Sequence, residues 1–375
     1  LTVFDNTSGC VSTTYPFTVT VEANPTISLG ANPEACRGDL STNMSFSATT
    51  GSPDRYTIDF NAAAEAQGFV DVVNSALGSS PIAIDVPVAV AVGNYNAVIK
   101  VTNSTNGCSS SNTSFVVVVN PRPTITLGSN PEVCEGEISA ALTYSATSAS
   151  PDQYSIAFST AAKGVGFADV SPTALAPGQI DIVVPGGAPD GSYNATVNVI
   201  NSTTGCISDS QSIQVIINAT PDITLGANLE VCAGTTSDNL SYSGLSNGDK
   251  YSIDFDGTAD GQGFVDVVNA NLTSSPIVVD IPSGASMGTY NANLTILNSS
   301  TGCVSTTKAF TVKIDENPTV SLGTAPNVCK GGTSADLTYT ASAGSPDRYS
   351  INFDGVAEGQ GFADVSNQVL GASPL

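Results

Sequence analysis

An internal repeat of about 98 residues constrains the fold of this chain more than any other feature. A Cys-x-Gly step and a Gly-Cys step each return after 98, 98 and 97 residues, with their cysteines at Cys36, Cys134, Cys232 and Cys329 and at Cys10, Cys108, Cys206 and Cys303. A period of this length matches one small β domain, whereas solenoid repeats run to about 20–50 residues. Each repeat is therefore expected to bury its own core, and the chain is predicted to be a tandem array of domains.

The repeat boundaries follow from aligning the sequence with itself. Residues 1–4 align with 294–297 and residues 373–375 align with 275–277, so the sequence starts and stops inside a repeat. We therefore expect the chain to be one segment of a longer repetitive protein. The predicted segments are a partial repeat with the last two strands (1–23), repeat 1 (24–120), repeat 2 (121–218), repeat 3 (219–316) and a truncated repeat 4 (317–375).

Each repeat has the sequence pattern of a series of short strands. Runs rich in Val, Ile, Tyr and Thr alternate apolar with polar residues and are broken by Gly, Pro, Asn and Ser. In repeat 2 the predicted strands are residues 124–127, 142–146, 154–158, 167–170, 180–184, 193–200 and 212–217. Seven strands in one repeat predict an all-β, immunoglobulin-like sandwich of two packed sheets. The Ala-rich stretch 61–67 is predicted to be a loop, because its counterpart in repeat 3 carries Gly257 and Gly261.

Short joints that contain proline connect the repeats. The last strand of each repeat runs into Asn24-Pro25, Asn120-Pro121, Thr220-Pro221 or Asn317-Pro318, and the next strand follows within a few residues. Such joints limit hinge motion, because proline fixes φ and the connection is short. The sequence therefore predicts that the sandwiches form an elongated, semi-rigid rod.

Composition excludes several classes of function. The formal charge is −23 with only ten Lys and Arg residues, which disfavours binding to nucleic acid or to anionic membrane surfaces, because both need basic patches. No run of eighteen apolar residues is present, so no membrane insertion is expected in this segment. The chain also contains no His, the usual general base near neutral pH, so we expect no enzymatic activity and assign no catalytic residue.

Eight cysteines in a fixed register predict disulfides and an oxidising, extracellular location. Zinc is disfavoured because the chain has no His and no C-x₂-C pair.

Pairing within a repeat, as in Cys36–Cys108, is the default for a small secreted domain. However, five strands lie between these two cysteines and place them at opposite poles, more than about 20 Å apart, whereas a disulfide tolerates about 7 Å between Cα atoms. Head-to-tail stacking would instead pair Cys36 with Cys206 and Cys134 with Cys303. The sequence leaves both pairing schemes open, and disulfides between chains are a third possible scheme.

Several recurring motifs resemble a known group of proteins. Gly93-Asn94-Tyr95, Gly191-Ser192-Tyr193 and Gly288-Thr289-Tyr290 each open an alternating strand that leads to Asn-Ser and Gly-Cys. Together with Cys-x-Gly and Ser-Pro-Asp-x-Tyr-Ser-Ile, they resemble the PKD-like, immunoglobulin-like repeats of long secreted surface proteins and adhesins of gliding Bacteroidota. The chain departs from the usual Trp-x-Phe-Gly-Asp-Gly pattern, with Tyr-Ser-Ile-Asp-Phe-Asp-Gly at residues 251–257. The resemblance implies a stalk or adhesin at the cell surface.

Calcium is the one cofactor for which the sequence offers ligands. Asp254, Asp256 and Asp260 place carboxylates at short intervals in a Gly-containing segment, which suits a large oxygen-seeking cation. The corresponding positions in repeat 2 are Ala157, Ser159 and Lys163, so the pattern is not kept throughout the array. An acidic, solvated loop is the alternative interpretation.

The sequence thus predicts a structural segment of a long extracellular adhesin or filament, acting as a disulfide-stabilised stalk. Its expected partners are neighbouring repeats of the same chain, with self-association into filaments and binding to surface glycans or cells left open. One alternative is a repeated carbohydrate- or protein-binding adhesive module. Sugar sites usually stack on exposed aromatic residues, whereas the recurring ones here lie on apparent strands where core packing explains them, namely Tyr56, Tyr154, Tyr251, Tyr349, Phe69, Phe167, Phe264 and Phe362. A second alternative is a set of spacer domains in a large secreted hydrolase.

Overall fold

The computed structural model describes the backbone of residues 1–375 and every side chain except that of Ala48. The described chain is built mainly of short strands, with four single-turn helices. It divides into two compact units. The first consists of Leu1–Pro131, Ile138–Pro185 and Ser192–Val215, and the second of Glu132–Glu137, Gly186–Gly191 and Ile216–Leu375.

Repeats 1 and 2 each contain nine strand segments and one short helix. In repeat 1 they are β1 (Thr26–Leu29), β2 (Glu34–Cys36), β3 (Ser41–Met44), β4 (Phe46–Thr50), β5 (Arg55–Phe60), α1 (Ala62–Glu65), β6 (Val72–Ala76), β7 (Ile82–Asp85), β8 (Gly93–Thr102) and β9 (Thr113–Asn120). In repeat 2 they are β10 (Thr124–Leu127), β11 (Glu132–Cys134), β12 (Ser139–Ser148), β13 (Gln153–Phe158), α2 (Thr160–Gly164), β14 (Val170–Ala174), β15 (Gln179–Val183), β16 (Gly191–Asn201), β17 (Cys206–Ile207) and β18 (Gln211–Asn218).

Repeat 3 follows the same order, and repeat 4 contains the first part of it. The elements of repeat 3 are β19 (Asp222–Leu225), β20 (Leu229–Cys232), β21 (Ser237–Leu240), β22 (Tyr242–Ser246), β23 (Lys250–Phe255), α3 (Gly257–Asp260), β24 (Val267–Asn271), β25 (Ile277–Asp280), β26 (Gly288–Leu297) and β27 (Lys308–Asp315). Those of repeat 4 are β28 (Thr319–Leu322), β29 (Tyr339–Ala343), β30 (Arg348–Ile351), α4 (Gly355–Glu358) and β31 (Val365–Val369).

In the first unit, repeat 1 forms a two-layered sandwich. One layer is a five-stranded sheet in the order β2-β9-β8-β5-β6, and the other contains the pairs β1-β4 and β3-β7. Strand β2 runs parallel to β9, whereas the other neighbours are antiparallel. Alternate residues of both layers are buried in one core, including Ile58 and Ile99 of the five-stranded sheet and Met44 and Ile84 of the pair β3-β7. The predicted immunoglobulin-like sandwich is confirmed.

In the second unit, repeat 3 repeats this topology. Its five-stranded sheet has the order β20-β27-β26-β23-β24, and β19-β22 and β21-β25 form the opposite layer. Ile253, Leu294 and Ile296 are buried in its core. Full burial of one such side chain stabilises the fold by about 1.5–3 kcal/mol. Each of these two repeats therefore has a hydrophobic core of its own.

A tyrosine at the start of the long central strand fixes the preceding loop. Tyr95 Oη donates to the carbonyl oxygen of Ala91 at 2.7 Å, and Tyr290 Oη donates to that of Ser286 at 2.6 Å. A buried tyrosine whose hydroxyl group donates a hydrogen bond to the backbone a few residues upstream is known in immunoglobulin-like sandwiches as a tyrosine corner. The recurring Gly-x-Tyr step in the sequence is thus explained by this corner.

Two local predictions were wrong. The stretch 61–67 contains helix α1, because the Asn61 side chain accepts the N–H of Ala64 at 2.9 Å and caps a single turn. The predicted strand 167–170 begins only at Val170. Phe167 is instead buried in the core, and the Asp169 carboxylate accepts the N–H of Phe158 at 2.8 Å. No helix in the described part of the chain is long and apolar enough to cross a membrane.

The sequence also missed the short strand that carries the Cys-x-Gly cysteine. Strands β2 and β20 are only three and four residues long and pair in parallel with the last strand of their own repeat. Three or four residues are too few for a visible alternation of apolar and polar positions. This strand decides where the cysteine lies, as described next.

Candidate functional site

In the first unit, a disulfide joins repeat 1 to repeat 2. Cys36 ends β2 and lies opposite Asn120, the last residue of β9, because the two strands are parallel. Cys36 is therefore at the pole where the chain leaves repeat 1. Cys206 lies after the turn that follows β16, at the pole where the chain enters repeat 2. The two cysteines are bonded, with their Cα atoms 5.6 Å apart and 170 residues between them in sequence.

The second unit contains the equivalent bond. Cys134 ends β11 and lies opposite Asn218, the last residue of β18. It is bonded to Cys303 with a Cα separation of 5.5 Å, across 169 residues of sequence. Cys303 is fully buried, and its Sγ lies 3.9 Å from the carbonyl oxygen of Asn218. The same strand geometry therefore brings the same pair of steps together in both units.

The two bonds follow one rule. The Cys-x-Gly cysteine of one repeat is bonded to the Gly-Cys cysteine of the next repeat, which is the stacking scheme considered from the sequence. The other four cysteines are free thiols: Cys10, Cys108, Cys232 and Cys329. Under this rule, none of these four has a partner within the 375 residues. Disulfide formation by these four cysteines stays a prediction.

Arg122 holds the joint of the first unit by three hydrogen bonds. Its Nε donates to the carbonyl oxygen of Arg37 at 2.7 Å and its Nη1 to that of Ile207 at 3.0 Å. Its Nη2 contacts Oδ1 of Asp39 at 2.7 Å, and the other oxygen of that carboxylate accepts the N–H of Cys36 at 2.8 Å. A guanidinium is suited to this position because its donors lie in a rigid plane. Arg122 thus connects both sides of the Cys36–Cys206 bond.

Replacing Arg122 by Ala is expected to speed reduction of the Cys36–Cys206 bond. The variant should lose about 1 kcal/mol of hydrogen bonding, which raises the population of the open joint about fivefold. The rate at which dithiothreitol reduces the bond should rise by the same factor. Timed alkylation followed by peptide mapping measures the rate. The Cys134–Cys303 bond is an internal control, because Thr220 stands in place of Arg122 in its joint. Equal acceleration of both bonds would contradict this role for Arg122.

A recurring aspartate fixes the turn that carries the Gly-Cys step. In repeat 3, Oδ1 of Asp249 accepts the N–H of Ser299 at 2.7 Å, and the Ser299 hydroxyl donates to Oδ2. The same pair of bonds joins Asp54 to Ser104 and Asp152 to Ser202. The hydroxyl and backbone hydrogen bonds stabilise the charged form and lower the pKa of each of these carboxyl groups.

These lowered pKa values predict a specific loss of stability in acid. A carboxyl group whose pKa is lower in the folded state stabilises the fold above its unfolded pKa of about 3.9, and this contribution disappears as the pH falls through the folded pKa. The Asp54→Asn, Asp152→Asn and Asp249→Asn triple variant should therefore be less stable than wild type at pH 6, and this difference should shrink as the pH falls below about 3.9. Urea unfolding across that range measures the difference. The Asp254→Asn variant, at an exposed strand position, is the control. A difference that is independent of pH would contradict the assignment.

The structure places the three candidate calcium ligands on β23 and around helix α3. Asp254 lies on an exposed position of β23, and Asp260 ends helix α3. Asp256 caps α3, accepting the N–H groups of Thr258 and Ala259 at 3.0 and 2.9 Å, and also accepts from Asn291 Nδ2 at 2.8 Å. Among the described residues, no group of three or more His, Cys, Asp or Glu side chains is placed to hold a metal ion. Calcium binding by these three residues stays a prediction.

The recurring aromatic residues lie mostly inside the complete repeats. Phe69, Phe167 and Phe264 are buried, and Tyr251 is half-buried. The Phe264 ring lies 4.9 Å from that of Phe255 and 5.1 Å from that of Tyr290, between ring centroids. Aromatic groups in such clusters stabilise the core.

Comparison with known proteins gives likenesses of fold only. No family model matches the sequence, and no curated protein matches it either. Among solved structures, the chain is similar to the FN1-FN3 domains of chicken CNTN1, with 14% identity, a TM-score of 0.31, and coverage of 77% of this chain and 98% of that one. It is also similar to part of a 1.5-MDa bacterial ice-binding adhesin, with 13% identity, a TM-score of 0.31, and coverage of 79% and 100%. Immunoglobulin domains 1–5 of Sidekick-1 match with 11% identity, a TM-score of 0.27, and coverage of 79% and 60%. At these TM-scores, none of the likenesses says what this chain does.

Proposed function

We propose that this chain is a non-enzymatic structural segment of a long extracellular surface protein, and that it acts as a disulfide-stabilised stalk. The observation that carries the proposal is that both disulfides join successive repeats instead of closing single domains. A small domain with its own core does not need a bond to its neighbour in order to fold. A bond across a joint instead limits how far two domains can rotate or separate.

The chemistry of the joints supports an extracellular location. Disulfides persist in oxidising compartments and are rare where thiols are kept reduced. The net charge of −23 would keep neighbouring stalks soluble and apart, because surfaces of like charge repel each other. The motif resemblance extends the proposal to the PKD-like stalks and adhesins of Bacteroidota. The five segments defined by the repeat remain our proposed domain boundaries.

A second candidate function is a repeated binding module, because repeats 1 and 3 carry a groove in equivalent positions. In repeat 3 it measures about 470 Å³ and is lined by residues that include Val265, Asp266 and Asp280. In repeat 1 it measures about 380 Å³ and is lined by the counterparts Asp71 and Asp85, among others. The groove lies between strands β24 and β25, or β6 and β7, at the edges of the two layers. Free strand edges favour an extended peptide as the ligand.

Three measurements test these candidates. Immunogold electron microscopy with antibodies against repeat 3, on thin sections of cells of the native source, should place the label outside the cell. The protein extracted from those cells should contain the two disulfides. A label confined to the cytosol, with reduced cysteines, would overturn the stalk proposal. Saturable binding of the soluble chain to glycan or peptide arrays would instead favour the binding module.

A further inference from the structure

Strand β25 of repeat 3 has a free edge that borders the groove of that repeat. Among the described strands, it pairs only with β21. Directly after β25, the N–H of Ile281 donates to the carbonyl oxygen of Thr236 at 2.9 Å, so this N–H points toward the β21 side. Backbone groups change sides from one residue to the next along an antiparallel strand. The N–H and C=O groups of Val278 and Asp280 therefore point away from β21, and this edge can accept a further strand.

Repeat 1 has the same free edge on β7. In the described part of the chain, β7 pairs with β3 alone, and the N–H of Val86 donates to the carbonyl oxygen of Leu40 at 2.9 Å. By the same alternation, the backbone groups of Ala83 and Asp85 point to the free side. Asp85 and Asp280 occupy equivalent positions of the repeat, and both side chains are exposed. Repeats 1 and 3 therefore present the same acidic strand edge.

A second carboxylate lines each groove beside the edge aspartate. It belongs to Asp71 in repeat 1 and to Asp266 in repeat 3, just before the edge strand of the five-stranded sheet. One oxygen of Asp266 accepts the N–H of Phe255 at 2.9 Å, which holds this carboxylate in place. No Lys or Arg is among the described residues that line either groove. Each groove therefore offers two negative charges to a ligand that carries positive ones.

Repeat 2 shows that this second carboxylate accepts an ammonium group. Its Asp169, the counterpart of Asp266, contacts Nζ of Lys163 at 2.6 Å. Lys163 lies in helix α2, and the corresponding residues of repeats 1 and 3 are Glu65 and Asp260. Repeat 2 therefore supplies from its own chain a cation of the kind that the other two grooves would take from a ligand.

Repeat 2 also differs at the strand edge itself. Val183 of β15 stands in place of Asp85 and Asp280. The carboxylate on β15 is that of Asp181, and its Oδ1 accepts a hydrogen bond from Gln179 of the same strand. The acidic character shared by the grooves of repeats 1 and 3 is thus partly replaced and partly neutralised in repeat 2.

We propose that the grooves of repeats 1 and 3 bind an extended segment of a partner protein that carries Lys or Arg side chains, a ligand assignment that rests on the second candidate function, the repeated binding module. The segment adds as a strand to the free edge of β7 or β25, so that its backbone pairs with the edge residues. In repeat 3, a basic side chain of the segment lies between Asp280 and Asp266. Apolar side chains of the segment cover Val265 and Val278, which are 76% and 58% exposed.

The overall charge favours the same kind of partner. The net charge of −23 attracts a basic segment from a distance and speeds its encounter with the chain. Pairing along the strand edge then fixes where the segment binds, because charge alone does not select one acidic surface over another. Backbone pairing and charge therefore have separate, measurable effects on binding.

The first test uses a short synthetic peptide, acetyl-Trp-Lys-Val-Lys-Val-Lys-Val-amide. The chain contains no Trp, so the fluorescence of the peptide reports on binding directly. Two peptides should bind per chain, with an affinity that falls as NaCl rises from about 50 to 500 mM. The same peptide with N-methyl groups on alternate residues keeps its charge but cannot pair with an edge, and it should bind about tenfold more weakly. Equal binding of the two peptides would overturn the proposal.

The second test locates the sites by reversing charge. The Asp280→Lys variant should bind one peptide instead of two, and the Asp85→Lys/Asp280→Lys variant should bind none. The Asp59→Lys/Asp254→Lys variant is the matched control, because both residues are exposed on strands β5 and β23 and neither lines these grooves. It should still bind two peptides. Equal loss of binding in the control variant would overturn the proposal.

Failure of this ligand assignment is distinguishable from failure of the binding module. If the Lys-containing peptide does not bind but another array ligand binds saturably, the assignment is wrong and the binding module stands. If no ligand binds, both are wrong. The stalk proposal is independent of either result, because it rests on the disulfides between successive repeats.

Discussion

Reduction of the two disulfides is expected to lengthen the fully stretched chain by about 195 residues, roughly 65–70 nm at 3.3–3.6 Å per residue. The reason is that the two covalent loops overlap: Cys134 lies inside the loop closed by Cys36 and Cys206, and Cys206 lies inside the loop closed by Cys134 and Cys303. The shortest covalent path from Cys36 to Cys303 crosses both bonds and the intervening segment of about 72 residues, instead of about 267 residues of backbone.

Overlap makes the effects of the two bonds strongly non-additive. With only one bond left, a loop of 169 or 170 residues is still closed. The Cys36→Ser/Cys206→Ser variant, or the corresponding variant of the second bond, should therefore release only about 25 residues, roughly 9 nm. Bonds within repeats would behave differently, because each would release about 72 residues independently of the others.

Single-molecule stretching with handles at residues 1 and 375 measures these lengths, with and without a reductant. The free cysteines are first blocked by alkylation, so that only the two disulfides respond. The Cys108→Ser/Cys329→Ser variant is the control and should behave like wild type. Equal, additive increments from the two bonds would contradict the overlapping arrangement.

Replacing Phe264 by Ala is expected to unfold repeat 3 selectively. The side chain is buried between the rings of Phe255 and Tyr290, and removal of a core phenylalanine typically costs about 3–5 kcal/mol. A small domain has a total stability of about 5–15 kcal/mol, so this loss is a large part of it. Because repeats 1 and 3 have separate cores, the first unit should keep its stability.

Limited proteolysis read by mass spectrometry tests this modular behaviour, together with urea unfolding. New cleavage sites should fall within residues 219–316 and not within repeat 1. Val265→Ala changes the neighbouring exposed residue and should have almost no effect. Loss of both cores together would show that the repeats do not fold as separate units.

The repeat, the sandwich and most strands could be predicted from the sequence, because they rest on local alternation that returns in every copy. Strand β10, for instance, has the bounds predicted for it. Strand β2 could not be predicted, because its three residues pair with residues about 84 positions later. Helix α1 was missed because Gly257 and Gly261 of its counterpart weaken a helix, whereas a side-chain cap, Asn61 in repeat 1 and Asp256 in repeat 3, is enough to fix a single turn.

The joints were only partly predictable. Counting strand reversals raised the possibility of bonds between successive repeats, because one repeat places its two cysteines at opposite poles. The contacts of Arg122 could not be foreseen, since the residue occurs in only one joint and no motif contains it. The turn aspartates recur at a fixed place, as in Asp54 and Asp249, but their partners lie 50 residues away in sequence.

Peptide mapping without reduction is the most direct test of the central claim, that disulfides link successive repeats. The protein is taken from its native source, its free thiols are alkylated at once, and the cross-linked peptides are identified by mass spectrometry. We expect peptides that join Cys36 to Cys206 and Cys134 to Cys303. Peptides that join Cys36 to Cys108 and Cys134 to Cys206 would contradict it, and the chain would then be a string of independently closed domains.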